Sequence, residues 1–159
     1  GCDATNEEAV RKVYELKLSA DKKRMLVLVA SPDRAARYVK RMPKIAWELM
    51  DVADKPMALI LPGAAGVAPS LIPEEGTLGM RVPDHDFCRE LLRIFRKPVV
   101  STSANISGEA SPVGFNDIAE EIMKGVDMVV DPSCEGHPTR KPSAIIMLGE
   151  GGEIKIIRE

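Results

Sequence analysis

The sequence predicts an α/β fold, a twisted mixed sheet with helices packed on it. Three observations carry that expectation. Short apolar runs alternate along the chain with segments of helical periodicity, the order in which strands interleave with helices. The closing stretch, SAIIMLGEGGEIKIIRE, reads as two strands joined by a glycine-rich turn, so at least one pair is antiparallel. The chain has 159 residues, 45% of them hydrophobic but only 4% aromatic, which suits one aliphatic core.

Each element follows from its residues. Thr5 and Glu8 have capping-box spacing, and Ala9, Val13 and Leu16 recur on one face, so a helix is predicted over 6–18. LSADKKR is a polar, basic loop. MLVLVA, 25–30, lacks alternation and reads as a strand buried on both faces. Ser31 and Pro32 open a helix through about Val39, and Pro43 opens another, KIAWELMDVA. MALILPG, 57–63, is a strand, followed by a loop rich in Gly and Pro. TLGMRVP is a third strand, ended by Pro83. Asp84 is the expected cap of HDFCRELLRIF, with Phe87, Leu91 and Phe95 on one face. PVVST is the fourth strand, Asn116 or Asp117 starts the helix DIAEEIMK, and VDMVVD is a fifth strand before the hairpin. No repeat or linker interrupts this order, so a single domain over 1–159 is expected.

Composition narrows the function. A net charge of −2 argues against a protein that wraps nucleic acid non-specifically. Three widely spaced cysteines, Cys2, Cys88 and Cys134, do not read as a disulfide framework and suggest a reducing, cytoplasmic setting. No apolar run approaches the ~18–20 residues that a membrane span needs, and no secretory signal is visible. The common glycine-rich nucleotide cradles and the GxSxG elbow are missing. His85 and His137 have no metal-ligand spacing, so neither a metal site nor an acid–base catalytic residue is assigned.

What remains is a set of hydroxyls, amides and cations at strand ends. Alternation puts Thr77, Gly79 and Arg81 on one strand face, with Gly79 leaving room for a ligand to approach the backbone. In STSANISGEASP, Ser101, Ser103 and Asn105 share a face if the strand continues that far. Ligands of open α/β sheets gather outside strand ends, and such groups suit phosphate or carboxylate. The expectation is that Ser101 and Ser103, backed by Arg81, converge on one anion-seeking hollow. Turn formation by the serines, a salt bridge for Arg81 and a solvated face for Lys17, Lys22, Lys23 and Arg24 are the plainer alternatives.

The stretches GCDATNEEAVRKVYELK, GTLGMRVPDH, KPVVSTSANISG, KPSAIIML and the closing IIRE resemble, in order and spacing, the YrdC-like family of threonylcarbamoyl-AMP synthases. The resemblance covers nearly the whole chain, and STSANISG is its most specific part. It implies an open twisted sheet with a concave basic face. It implies a nucleotidyltransferase that turns L-threonine, bicarbonate and ATP, with Mg2+, into threonylcarbamoyl-AMP and pyrophosphate. A transferase complex then carries the carbamoyl group to adenine 37 of tRNA, and tRNA or double-stranded RNA would be a further partner. By the same resemblance, Arg81 would pair with the threonine carboxylate, and Ser101 and Ser143 would face the amino acid. Thr77, Ser103, Asn105, Ser111 and Arg158 would contact ATP, and Lys17 and Lys23 would embrace its triphosphate.

The chain departs from the family pattern in four places. The basic loop, usually Lys-x-Arg-Pro, reads KLSA, with Ser19 and Ala20 in place of Arg and Pro. Ala58 stands where Thr is usual, and Ala110 where Pro is common. The N-terminal strand and its threonine-holding Thr-x-Tyr-Gly-Leu-Gly stretch are expected to be missing up to their final glycine, Gly1. An RNA-binding module, a degenerate paralogue without synthase activity and a carbamoyl-transfer domain of the hydrogenase-maturation kind are the rival readings.

Overall fold

The computed structural model describes residues 1–18, 25–51, 56–136 and 143–158. Its sheet contains β1 (Leu26–Leu28), β2 (Met57–Pro62), β3 (Thr77–Arg81), β4 (Val99–Ser101), β5 (Ala144–Leu148) and β6 (Ile154–Arg158). The strand order is β4-β1-β3-β2-β5-β6. β1 runs parallel to β3 and β2 to β5, and the other neighbours are antiparallel, so the sheet is mixed as expected. The helices are α1 (Glu7–Leu16), α2 (Pro32–Ala35), α3 (Lys44–Asp51), α4 (Asp86–Phe95) and α5 (Glu120–Lys124).

One sheet face forms the core. Val27, Leu59, Leu61, Leu78, Met80 and Val100 are buried there with Val10 of α1, Ala35 of α2 and Ala46 of α3. β1 is therefore not buried on both faces: Val27 is enclosed, while its neighbours Leu26 and Leu28 are half-buried on the other side. The N-terminal residues cover the outer edge of β4. Asp3 bridges Val99, and the Val100 and Ala4 amides donate to the carbonyls of Cys2 and Pro98 at 2.8 and 2.9 Å.

Four local expectations need correction. Thr5 and Glu8 form no capping box. Thr5 is drawn back to Asp3 Oδ1 by its amide and hydroxyl, at 2.8 and 2.6 Å, and Asn6 caps α1 by accepting from the Ala9 amide. Asp84 does not cap α4, because its carboxylate is taken by Arg89 at 2.6 Å; His85 holds the cap position, and Leu92 is the helix's buried residue. Asp117 closes a 3-10 turn, Phe115–Asp117, by accepting from the Val113 and Gly114 amides, and α5 begins only at Glu120. VDMVVD is no strand: its apolar side chains are exposed, Met128 at 74%, with no sheet neighbour. β-propensity expresses packing on a half-buried pleat, and this run has none to pack on.

The terminal hairpin forms as expected, its turn closed by the Gly149 amide on Glu153 O at 2.8 Å, with Gly152 at φ 92°. One irregularity shapes β6. Ile146 pairs with Ile156 and Ile145 with Arg158, so Ile157 is an extra residue in a β-bulge.

Candidate active site

The face opposite the core carries the candidate residues. Cross-strand partners share a face, so the register reads off a row. Val99, Leu28 and Arg81 align across β4, β1 and β3. The β3–β2 register sets Arg81 against Ala58, Ala58 pairs with Ile145, and the bulge brings Arg158 opposite Ile145. Arg81 and Arg158 thus stand on one row with the buried Ala58 between them, about 14 Å apart at three strand spacings.

Arg81 is the one charged residue on a mostly apolar strand, and its Nε is buried without a hydrogen-bond partner. Its charge reaches Cys88 in α4: burial pushes that thiol up, and the Arg81 guanidinium partly offsets the rise. Arg158 is held differently. Its Nε and Nη2 both donate to the Ser143 carbonyl, at 2.9 and 2.7 Å.

The next row contains Ser101, paired with Leu26, beside Gly79 and Ile60. Here lies a cavity of about 220 Å³, lined by Thr77 and Gly79 with the apolar Leu26, Ile60, Ile145 and Ile157 among others. Thr77 is buried and supplies its hydroxyl. The space above Gly79 is already taken, since a Cβ there would meet Leu26 Cδ2 at 2.7 Å. Arg81 and Ser101 flank this hollow by strand position, and neither they nor Ser103 line it.

β4 ends at Ser101, so Ser103 and Asn105 follow in a loop and share no strand face with it. Lys17, at the end of α1, organises that loop. Its Nζ donates to the Ser103 and Asn105 carbonyls at 2.6 and 2.7 Å, and the Ser107 amide returns to the Lys17 carbonyl at 2.8 Å. Asn105 Nδ2 donates to the carbonyls of Ile106 and Glu109, and Ser111 is exposed. Lys22, Lys23 and Arg24, with Ser19 and Ala20, lie outside the described residues, as does His137.

A family model named Sua5/YciO/YrdC, described as telomere recombination, matches residues 1–159. The chain belongs to the Sua5/YciO/YrdC family. A Methanocaldococcus jannaschii protein is 35% identical over 159 residues, covering 99% of this chain and 72% of that protein. The threonylcarbamoyl-AMP synthase of Idiomarina loihiensis is 31% identical over 145 residues, covering 88% of this chain and 78% of that enzyme. The crystal structure of P. abyssi Sua5 complexed with L-threonine superposes with a TM-score of 0.85 at 26% identity. That match covers 98% of this chain but only 45% of the P. abyssi chain.

In this Sua5/YciO/YrdC chain two features escaped the sequence reading. Leu26 looked like an ordinary strand residue, and only register shows that it covers Gly79. His85 looked like a first-turn residue. Its Nε2 lies 3.3 Å from the Glu135 carbonyl, leaving Nδ1 buried and without a partner. Nothing in local sequence signals a contact between residues 50 positions apart.

Proposed function

We propose that this domain makes threonylcarbamoyl-AMP from L-threonine, bicarbonate and ATP, releasing pyrophosphate, for threonylcarbamoylation of tRNA. The observation that carries the reading is the buried, unpartnered Nε of Arg81 on the open sheet face. A guanidinium edge with spare donors suits a carboxylate, which accepts two parallel hydrogen bonds from it. Threonine bound there would have its amine directed along the face, with Ser101 and Ser143 as hydroxyl neighbours. The amine takes up bicarbonate to give a carbamate and water. A carbamate oxygen then attacks the α-phosphorus of ATP, and pyrophosphate leaves. Thr77, Ser103, Asn105, Ser111 and Arg158 would hold the nucleotide, with Lys17 and Lys23 toward the triphosphate. No residue need serve as acid or base, since phosphoryl chemistry rests mainly on positioning and charge neutralisation.

Among the described residues no group of three His, Cys, Asp or Glu could hold a metal ion. These residues do not fit a protein-held magnesium site, and Mg2+ would enter as the counter-ion of ATP. Among them, too, no helix is long and apolar enough to cross a membrane. A cytoplasmic place, beside tRNA and the transferase complex that accepts the product, is part of the proposal.

The test is pyrophosphate release by the full-length protein. Release is expected only when threonine, bicarbonate and ATP are all present. Release that ignores threonine would overturn the reading.

A further inference from the structure

A second cavity, about 550 Å³, lies away from the Arg81 row. It opens where β2 ends at Pro62, four residues and about 13 Å along the strand from Ala58. Lys40, Arg41 and Lys44 stand on one wall and Glu150, in the β5–β6 turn, on another, with apolar surface from Met42 and Ile154. None of the three cations makes an ion pair among the described residues. The wall that bears them is fixed: Val39 bridges Ala64, and the Lys40 amide donates to the Gly63 carbonyl at 2.7 Å.

We propose that this cavity binds a small phosphate monoester, at a site separate from the synthase centre. Charge selects the class. Three cations less one carboxylate leave 3 − 1 = +2 around the space, and a phosphate monoester carries about −1.5 to −2 at neutral pH. Volume selects the size, since ligand pockets run from roughly 300 to 1,000 Å³. The phosphate meets Lys40, Arg41 and Lys44. The body of the ligand lies on Met42 and Ile154, and Glu150 accepts from its hydroxyls. A continuous RNA backbone fits less well, because the hairpin turn and the 40–45 segment enclose the space from two sides.

Trp47 offers a local reporter. It is the single tryptophan, partly exposed on α3 and three residues beyond Lys44, so the two are neighbours on the helix surface. The full-length protein is titrated with ribose 5-phosphate, with ribose as the uncharged control, by Trp47 fluorescence and by calorimetry. Saturable binding of the phosphate alone is expected. Arg41→Ala and Lys44→Ala should each weaken it about tenfold, Lys44→Arg should largely restore it, and Arg158→Ala should leave it unchanged. All the altered side chains are exposed, so folding is not at stake. Three results would each overturn the proposal: no binding; binding indifferent to both alanine variants; or binding lost in Arg158→Ala, which would make it the nucleotide site. Binding of an RNA duplex with steep salt dependence, and none of the monoester, would overturn it in favour of an RNA contact surface.

Discussion

Replacing Arg81 with methionine should make the unliganded protein more stable while impairing its reaction. The Nε of Arg81 is buried and makes no hydrogen bond. An unsatisfied buried donor costs about 1–3 kcal/mol. The residue is only half-buried, so the lower end applies, and about 1 kcal/mol should be recovered when the donor is removed. Methionine keeps much of the apolar stem and its packing on the strand. In a domain of this size about 1 kcal/mol moves the midpoint of thermal unfolding by roughly 2–4 °C. The liganded protein should respond in the opposite direction. A hydrogen bond to a charged group contributes about 1.5–3 kcal/mol, so the KM for threonine should rise about 10- to 150-fold. The KM for ATP should change by no more than about twofold, within the scatter of such measurements. Calorimetry of the apo protein and steady-state kinetics with each substrate varied would test both halves. A Tm that falls by several degrees would mean that the guanidinium is satisfied in the native state. A larger effect on ATP than on threonine would mean that the two subsites have been exchanged.

Other perturbations have equally definite outcomes. Lys17→Met removes both bonds from Nζ to the 103–105 carbonyls; the urea midpoint should drop by the equivalent of about 2 kcal/mol, and the Ser107 amide should exchange faster with solvent. Leu59→Ala, at a core position 1% exposed, should cost about 2–5 kcal/mol in chemical denaturation. Acid sensitivity should trace partly to Asp3. Burial works against its charge, but hydrogen bonds from Lys97 and Thr5 outweigh that and hold its carboxyl below the ordinary value. A lowered folded value means the stability is complete above the ordinary carboxylate range and is lost as pH falls through it, below about 4. Asp3→Asn should therefore flatten the decline in urea midpoint between about pH 6 and pH 3; an unaltered slope would show that other carboxylates govern it.

The elements that depend on local periodicity were legible in the sequence. Ala9, Val13 and Leu16 mark α1, and MALILP, TLGMR and the closing hairpin are strands as read. What was illegible depends on distant neighbours. VDMVVD has strand composition, yet whether a strand forms is decided by a ladder partner far along the chain. Thr5 and Asn6 are both competent caps, and the choice turned on Asp3 claiming the threonine. At the candidate site, Arg81 stood out because a charge in an apolar strand needs a reason. The grip of Lys17 on the 103–105 carbonyls spans more than 80 positions, and local pattern could not reveal it.

The extra residue in β6 works as a phase shifter. Side chains along a strand point alternately up and down, and Ile157 offsets that beat by one just before Arg158. Deleting one position between Ile154 and Ile157 would restore an even ladder with the guanidinium still opposite Ile145 and on the same face, whereas deleting two would set it opposite Ile146, on the underside of the sheet. Length changes in this strand are therefore tolerated by parity, and a double-codon loss there would be more damaging than a single one.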